Sequence, residues 1–201
     1  YDIRDRNLLE VGQPFATGQL MDEGLGVRQC LEAVRDVYKS ARYAGIACGI
    51  KNTGIGNGMP DIGRVRIQVD SHQQVTVHTG YTEMGQGLYT VLRQIVAHET
   101  GISPDSIQVQ VSTEYAVECG MTTASRATML GSEATRRACA ALCKELNGGA
   151  SLADLVGRGF HGEFICDFTS KPGKGGDNPV THVTFGYAAQ VVVLDDEGEL
   201  S

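Results

Sequence analysis

The segment at residues 64–100 constrains the fold of this chain more than any other. Its first part, RVRIQVD at 64–70 and QQVTVHT at 73–79, alternates hydrophobic and polar residues with period two, which predicts a β-hairpin with one buried face. The chain then crosses three glycines within eight residues and enters a helix that we place at 87–100. Apolar residues recur along this helix at helical spacing: Leu88, Val91, Leu92, Ile95 and Val96. A strand, a glycine-rich turn and an amphipathic helix in this order predict a packed unit of sheet and helix.

The other elements continue this alternation. Periodicity predicts helices at 26–42 and 130–147 and strands at 43–52, 107–112, 161–169 and 181–195, the first strand being buried. We therefore predict the α+β class, a mixed sheet with packed helices, with a core drawn from the 41% of residues that are hydrophobic. We expect a single domain over 1–201, with a loosely packed lead-in at 1–24 and an α+β core at 25–201.

The two ends of the sequence predict a fragment. The chain opens without Met, and its last strand runs into an Asp/Gly turn that is typical of a hairpin whose partner would follow. A strand without its partner exposes unpaired backbone, so we expect the isolated fragment to self-associate into a homo-oligomer.

Two turns have the same physical form, in which small or hydroxyl residues lie between a strand and a helix. One contains Gly85, Gln86 and Gly87, and the other is Thr-Thr-Ala-Ser at 122–125. Glycine at such a turn costs backbone entropy, and a helix N-terminus with free N–H groups can hold an anion. If one ligand binds both turns, they open onto a common groove with unpaired N–H groups and with Gln86 directed outward. If the turns are only structural, they lie on different faces and are closed by their own capping bonds.

Composition argues against several classes of function. The 17 basic and 24 acidic residues give a net charge of −7, which disfavours a nucleic-acid partner. No hydrophobic run reaches membrane-spanning length, and no signal peptide opens the sequence. The six scattered cysteines are typical of reduced thiols in a cytoplasmic protein, and Cys139 with Cys143 is either helix core or half of a metal site. Since neither the cysteines nor the five histidines complete a ligand spacing, we predict no metal held by the protein itself.

Two motifs resemble a known enzyme family. GYTEMGQGL at 80–88 and TTASRAT at 122–128 resemble segments of the molybdenum hydroxylases, the family of xanthine dehydrogenase and aldehyde oxidoreductase. ATGQLMDEGLGVRQCLEAV at 16–34 and NPVTHVTFGYAAQVVVLD at 178–195 resemble further family segments in the same order, so the resemblance covers nearly the whole chain. The sequence of these segments is most similar to that of the molybdopterin-binding subunit of bacterial xanthine dehydrogenases. The resemblance implies that the chain is part of the second molybdopterin-binding domain.

The resemblance implies a cofactor, which is molybdopterin in its cytosine dinucleotide form, carrying molybdenum. It implies cofactor contacts for seven residues: Met84, Gly85, Gln86, Gly87, Thr123, Ala124 and Ser125. Gln86 would hydrogen-bond through its amide, the backbone of Ala124 would face the molybdenum centre, and Ser125 would bond to the pterin or its phosphate.

Other positions carry less of the family pattern. TGIGNG at 53–58 resembles the lining of the substrate channel, with Asn57 and Gly58 at the nearest positions, although a flexible connection explains the same residues. The family's general base, a Glu near the C-terminus of the subunit, has no counterpart in this sequence. Glu83 is better interpreted as a structural acid at a helix start. We therefore assign no catalytic residue and expect the isolated chain to be inactive.

The resemblance also implies an activity for the complete protein. It would hydroxylate a purine or related N-heterocycle with water as oxygen source, as in purine metabolism, and pass electrons to iron–sulfur clusters and FAD on other subunits or domains. Its partners would be the small-molecule substrate, the rest of the molybdenum subunit and electron-transfer subunits. An aldehyde or nicotinate oxidoreductase of the same family, and a non-catalytic α+β binding module, are the alternatives.

Overall fold

The computed structural model describes residues 1–171 and 173–200 and divides them into two compact units. One unit is Tyr1–Gly58 with Thr169–Ser201, and the other is Met59–Phe168. The elements in chain order are α1 (Asp2–Arg6), α2 (Val27–Ala33), α3 (Arg35–Ser40), β1 (Tyr43–Thr53), β2 (Asp61–Val69), β3 (Val75–Thr79), α4 (Leu88–Thr100), β4 (Ile107–Val111), α5 (Ala127–Asn147), β5 (Gly159–Cys166) and β6 (Thr184–Leu194). The predicted α+β class is confirmed, whereas the predicted boundaries of a single domain stay a prediction. No helix among the described residues is both long and apolar enough to cross a membrane.

The unit that contains both ends of the chain is built on a two-stranded ribbon. β1 and β6 pair antiparallel along their whole length, from Tyr43 opposite Leu194 to Thr53 opposite Thr184. The buried cluster beside this ribbon comprises Leu8, Met21, Leu25, Val27, Leu31 and Ile46. The predicted helix at 26–42 is interrupted at Val34, which caps both α2 and α3.

The prediction of a buried strand at 43–52 is wrong. Ile46 is the buried residue of β1, and exposed and partly covered residues alternate along both β1 and β6. A two-stranded ribbon with helices on one side covers alternate side chains only, because successive side chains point to opposite faces. β6 is also not left without a partner, since β1 pairs with one of its edges.

The unit Met59–Phe168 contains a mixed four-stranded sheet in the order β4-β3-β2-β5. β2 pairs antiparallel with β3 and with β5, while β3 pairs parallel with β4. The predicted hairpin and the helix that follows it are therefore confirmed, and α5 begins three residues before its predicted start. α4 and α5 pack on each other and on one face of the sheet. We call the opposite face, which carries Arg64, Arg66 and Gln68 of β2, the outer face.

Helix α5 approaches the sheet very closely at Gly162 of β5. A Cβ atom on Gly162 would lie 1.9 Å from the carbonyl oxygen of Ala134 and 2.6 Å from the backbone nitrogen of Ala138. Both atoms belong to the backbone of α5, so no side-chain rotation relieves the contact. Gly63 of β2 is similarly close, since its Cβ would lie 2.3 Å from the carbonyl oxygen of Leu130. The two glycines let α5 lie directly on the sheet, which sets the position of its N-terminus.

We predict that Gly162→Ala lowers the free energy of unfolding by about 1–3 kcal/mol, because the added methyl group forces α5 away from the sheet. Gly49→Ala in β1 is the matched control, since a Cβ there meets no atom within 4 Å. It should leave stability unchanged or raise it by up to about 1 kcal/mol. Chemical denaturation of both variants measures the difference, and equal effects would contradict the close approach of α5.

Candidate active site

A groove in the unit Met59–Phe168 brings the two predicted turns together. It has a volume of about 380 Å³ and is lined by Met84, Gln86, Thr122, Thr123, Ala124, Ser125, Arg126, Ala127 and Thr128. Five of the residues predicted from the sequence lie on it: Met84, Gln86, Thr123, Ala124 and Ser125. Gly85 and Gly87 belong to the same turn but do not line the groove. The expectation of a common groove is confirmed.

The N-terminus of α4 is closed by the carboxylate of Glu83. Glu83 Oε1 accepts hydrogen bonds from the backbone N–H groups of Gly85 at 2.8 Å and Gly87 at 2.9 Å, and Oε2 accepts one from Tyr89 at 3.1 Å. The hydrogen bond from Gly87, followed by that from Tyr89, lowers the pKa of Glu83. The expectation that this turn presents unpaired N–H groups is therefore wrong, and the interpretation of Glu83 as a structural acid is confirmed.

Gln86 is folded back across its own turn. Its Oε1 accepts the N–H of Met84 at 2.6 Å, and its Nε2 donates to the carbonyl oxygen of Thr82 at 2.8 Å. The expectation that its amide points outward is wrong in this structure. The donor and acceptor that it meets belong to residues two and four positions away, and a short turn brings them within reach of the amide.

The turn before α5 has the opposite character. Ala124 and Ser125 have φ angles of 53° and 54°, the left-handed region that non-glycine residues adopt at a cost. Within the described residues, the backbone N–H groups of Thr123, Ala124 and Ser125 make no hydrogen bond to protein. A helix N-terminus of this kind carries partial positive charge and free donors. This turn, unlike the one before α4, can receive an anionic group.

Thr122 connects the two turns directly. Its Oγ1 accepts a hydrogen bond from the N–H of Thr82 at 3.0 Å and lies 3.1 Å from the hydroxyl of Thr82. The two walls of the groove are therefore held to each other by a pair of threonines, one from each motif, whose pairing was not predicted from the sequence.

Arg126 anchors the second turn in the core. Only 3% of it is exposed, and its Nε lies 2.6 Å from Oδ1 of Asp61, which is 2% exposed. Its guanidinium also donates to the carbonyl oxygens of Met121 at 2.9 Å, Ile62 at 3.2 Å and Cys119. Sequence reasoning missed this pair, and the signal available was a lone Arg among small residues just before a helix.

Tyr81 forms the floor beneath this arginine. The guanidinium of Arg126 lies 5.2 Å from the centre of the Tyr81 ring, and the Tyr81 hydroxyl donates to the carbonyl oxygen of Ile62 at 2.8 Å. Burial raises the pKa of Tyr81, which keeps this hydroxyl protonated as a donor. The ring is fully buried, so the arginine rests on a rigid apolar surface.

Asn57 and Gly58 belong to the other unit. The N–H of Asn57 donates to the carbonyl oxygen of Thr181 at 2.7 Å, and that of Gly58 donates to Oγ1 of Thr169 at 3.0 Å. These bonds favour an ordered loop over a flexible connection. Their place in a substrate channel stays a prediction.

We predict that Asp61→Asn lowers the free energy of unfolding by about 3–5 kcal/mol, because it leaves the buried guanidinium of Arg126 without its counter-charge. Glu163→Gln is the control, since Glu163 pairs with Arg64 at 2.6 Å on the surface, and it should cost less than about 1 kcal/mol. Denaturation in urea compares the two. Equal small losses would show that Asp61 is not essential to the turn.

We predict that the stability advantage of the native protein over Glu83→Gln depends on pH. Because hydrogen bonds hold the folded pKa of Glu83 below its ordinary value, its contribution is complete above the unfolded pKa, about 4.3 for Glu, and is lost as pH falls through the lower folded pKa. Between pH 7 and pH 2, the free energies of unfolding of the native protein and of Glu83→Gln should therefore approach each other. A stability difference between the two proteins that stays constant over this range would contradict the role of the carboxylate.

Comparisons of the sequence with known proteins give a family and several relatives. A family model described as the molybdopterin cofactor-binding domain matches residues 24–159. The gamma subunit of the 6-hydroxypseudooxynicotine dehydrogenase complex of Paenarthrobacter nicotinovorans is 32% identical over 124 residues, which is 61% of this chain and 15% of that protein. A nicotinate hydroxylase of Emericella nidulans is 31% identical over 157 residues, 69% of this chain and 12% of that protein. A subunit of a probable xanthine dehydrogenase of Bacillus subtilis is 31% identical over 97 residues, 48% of this chain and 13% of that protein.

Solved structures share the fold. The aldehyde oxidoreductase of Desulfovibrio desulfuricans superimposes with a TM-score of 0.76 at 18% identity, over 95% of this chain and 23% of that one. The quinoline 2-oxidoreductase of Pseudomonas putida gives a TM-score of 0.62 at 19% identity, over 99% of this chain and 33% of that one. The chain thus spans at most 15% of the length of the curated relatives named above. Because the family model covers more than half of the chain and both of its turn motifs, this protein belongs to the molybdopterin cofactor-binding domain family.

Proposed function

We propose that the groove between the two turns binds molybdopterin and that the chain forms part of the cofactor bed of a molybdenum-dependent oxidoreductase. The observation that carries this proposal is the groove itself, since Met84 and Gln86 line it together with Thr123, Ala124 and Ser125. The two motifs are separated in the chain by a helix and a strand, and the fold does not require them to meet. Their position at one groove therefore supports a shared ligand.

The chemistry of the groove fits an anionic, extended ligand. The free N–H groups of Thr123, Ala124 and Ser125, in the turn before α5, suit an anionic part of the ligand. The carboxylate of Glu83 already accepts from the N–H groups of Gly85, Gly87 and Tyr89, and its charge repels an anion. The α5 side of the groove would therefore suit the phosphate of the cofactor, and Met84 and Gln86 would suit an uncharged part of it.

The strained backbone supports the same assignment. Ala124 and Ser125 both occupy the left-handed region, where each non-glycine residue costs roughly 1–3 kcal/mol. The buried pair of Arg126 and Asp61 holds them there. Strain retained in this way keeps the N–H groups directed into the groove instead of into a closed turn.

Gln86 binds the cofactor by exchanging partners. Its amide now satisfies Met84 and Thr82, and a rotation about its side chain releases it toward the groove. Because Gln86 is exposed, water can satisfy the released backbone groups, and the exchange costs little.

When bound, the molybdenum centre would supply the two-electron redox chemistry, and the residues of this chain would bind and orient the cofactor. We assign no general base to this chain. Hydrogen bonds from its own turn to both carboxylate oxygens of Glu83 lower its pKa and argue against that role. Asn57 and Gly58 are proposed to line the route of the substrate, and no protein ligand to the metal is proposed.

We propose hydroxylation of an N-heterocycle as the reaction of the complete protein, with water as oxygen source and a purine as the first substrate class. The names of the curated relatives support this class, since they include a probable xanthine dehydrogenase and a nicotinate hydroxylase. The second of these makes nicotinate the alternative substrate. We propose a cytosine dinucleotide form of the cofactor, with electrons leaving through iron–sulfur and FAD-containing partners.

A substrate panel tests the reaction. The protein in its holoenzyme form is assayed with xanthine, nicotinate and a simple aldehyde, using an artificial electron acceptor. Turnover of xanthine supports the purine assignment, and preferential turnover of nicotinate favours the alternative. Turnover of the aldehyde alone would contradict hydroxylation of an N-heterocycle.

We predict that Gln86→Ala in the holoenzyme lowers the content of molybdenum and organic phosphate while the fold is retained. Loss of a hydrogen bond to the cofactor should cost roughly 1–3 kcal/mol of binding. Gln94→Ala is the control, because Gln94 lies exposed on α4, the helix that follows Gln86, and outside the groove. Metal analysis after gel filtration measures retention, and an unchanged content in Gln86→Ala would defeat the role of this residue.

A further inference from the structure

The outer face of the four-stranded sheet carries a row of polar side chains that the groove does not use. Pairing of the strands places Gln110 of β4, His78 of β3, Arg66 of β2 and His161 of β5 side by side. Cross-strand neighbours of this kind lie on one face of a sheet. None of the four lines the groove.

Arg66 is held in place without an acidic partner. Its Nη1 lies 2.9 Å from Nε2 of His161, and its guanidinium lies 5.0 Å from the centre of the Tyr115 ring. Among residues 1–171 and 173–200, no carboxylate forms an ion pair with it. Arg64, two residues earlier on the same face, is bound to Glu163 at 2.6 Å. A cation fixed in one orientation and lacking a counter-charge is unusual in a chain with a net charge of −7.

Gly159 gives the guanidinium its position. A Cβ atom on Gly159 would lie 2.3 Å from Cζ of Arg66, so only glycine lets the guanidinium rest against the β5 backbone. The group is thus enclosed by glycine backbone, an aromatic ring and an imidazole. The side chain of Arg66 is therefore already ordered before an anion binds. It loses less conformational entropy on binding than a mobile surface arginine would.

His78 adds an unsatisfied polar group beside Arg66. It is 8% exposed, its ring lies 4.5 Å from that of Tyr115, and its Nδ1 is buried without a hydrogen-bond partner. Nε of Arg66 and Oε1 of Gln68 are likewise buried and unpaired. Burial and then the charge of Arg66 lower the pKa of His78, while Glu114 acts in the opposite direction without forming an ion pair with Arg66. Three unpaired buried atoms on one sheet face mark a site that is incomplete as it stands.

We propose that Arg66 forms a carboxylate-binding site on the outer face of the sheet, with His161 and Tyr115 holding its guanidinium in place. A hydrogen bond from Nη1 of Arg66 to Nε2 of His161 requires the imidazole to carry its proton on Nδ1, on the side of the ring away from Arg66. His161 therefore fixes the guanidinium, and the remaining N–H donors of Arg66 bind the carboxylate. One fixed positive charge and a planar set of donors match the charge and shape of a carboxylate better than those of a phosphate dianion. This site is independent of the cofactor groove.

Titration of the purified chain with sodium acetate, at constant ionic strength against chloride, tests the site. The NMR resonances of the His161 ring should shift with saturation. The apparent affinity should fall at least about tenfold in Arg66→Gln, because charge-assisted hydrogen bonds are lost. Arg64→Gln is the matched control, since Arg64 is already paired, and it should retain acetate binding. A response that does not saturate, or one equal in Arg66→Gln, would overturn the site.

Arg66→Lys keeps the test decisive if Arg66→Gln does not fold. Lysine retains the charge and loses the planar donors, so acetate binding should weaken markedly, and full retention would contradict the site.

Inorganic phosphate should bind more weakly than acetate, and tighter phosphate binding would overturn the carboxylate assignment. A capped Gly-Glu-Gly peptide identifies the source. Binding tighter than acetate indicates an acidic protein side chain, and binding weaker than acetate indicates a free small carboxylate, and either result supports the site.

Discussion

The buried ion pair between Arg126 and Asp61 is the interaction on which the cofactor groove depends. Asp61 is the first residue of β2, and Arg126 lies between Ser125 and the start of α5. The pair therefore links the sheet to the turn and the turn to the helix. Removing two charges from water is costly, and here the cost is offset by close approach and by three carbonyl oxygens that accept from the same guanidinium. Lysine could not replace this arginine, because a single ammonium lacks the planar set of donors that reaches all four groups.

Two glycines and one arginine together position the turn before α5. Gly63 and Gly162 let α5 lie directly on the sheet, which fixes the height of its N-terminus. Arg126 then fixes the backbone that enters the helix. With both constraints present, Ala124 and Ser125 are held in the left-handed region although neither residue favours it. The packing of this unit thus maintains a turn with open N–H groups that an isolated peptide would close.

The two turns that look alike in the sequence have opposite electrostatic character. The turn before α4 contains Glu83, whose carboxylate satisfies three backbone donors. The turn before α5 contains no acid, so the donors of Thr123, Ala124 and Ser125 stay free among the described residues. The presence of Glu83 before α4 and the absence of an acid before α5 therefore account for the difference between the two turns. The groove is negative on the α4 side and positive on the α5 side. An extended ligand whose phosphate lies to one side of an uncharged ring system can bind such a groove in one direction only.

The sequence by itself determined the α+β class, the hairpin at β2 and β3, helices α4 and α5, and the family, because period-two and helical patterns and contiguous motifs are local properties. It also determined which turns would meet, through the family motifs at 80–88 and 122–128. Only the tertiary structure decided that β1 is half exposed, since burial depends on what covers a strand and not on its own composition. It likewise decided that Gln86 bonds to its own turn and that Arg126 pairs with Asp61. Hydrogen-bond and ion-pair partners are chosen by distance in space, and no periodicity in the chain records that distance.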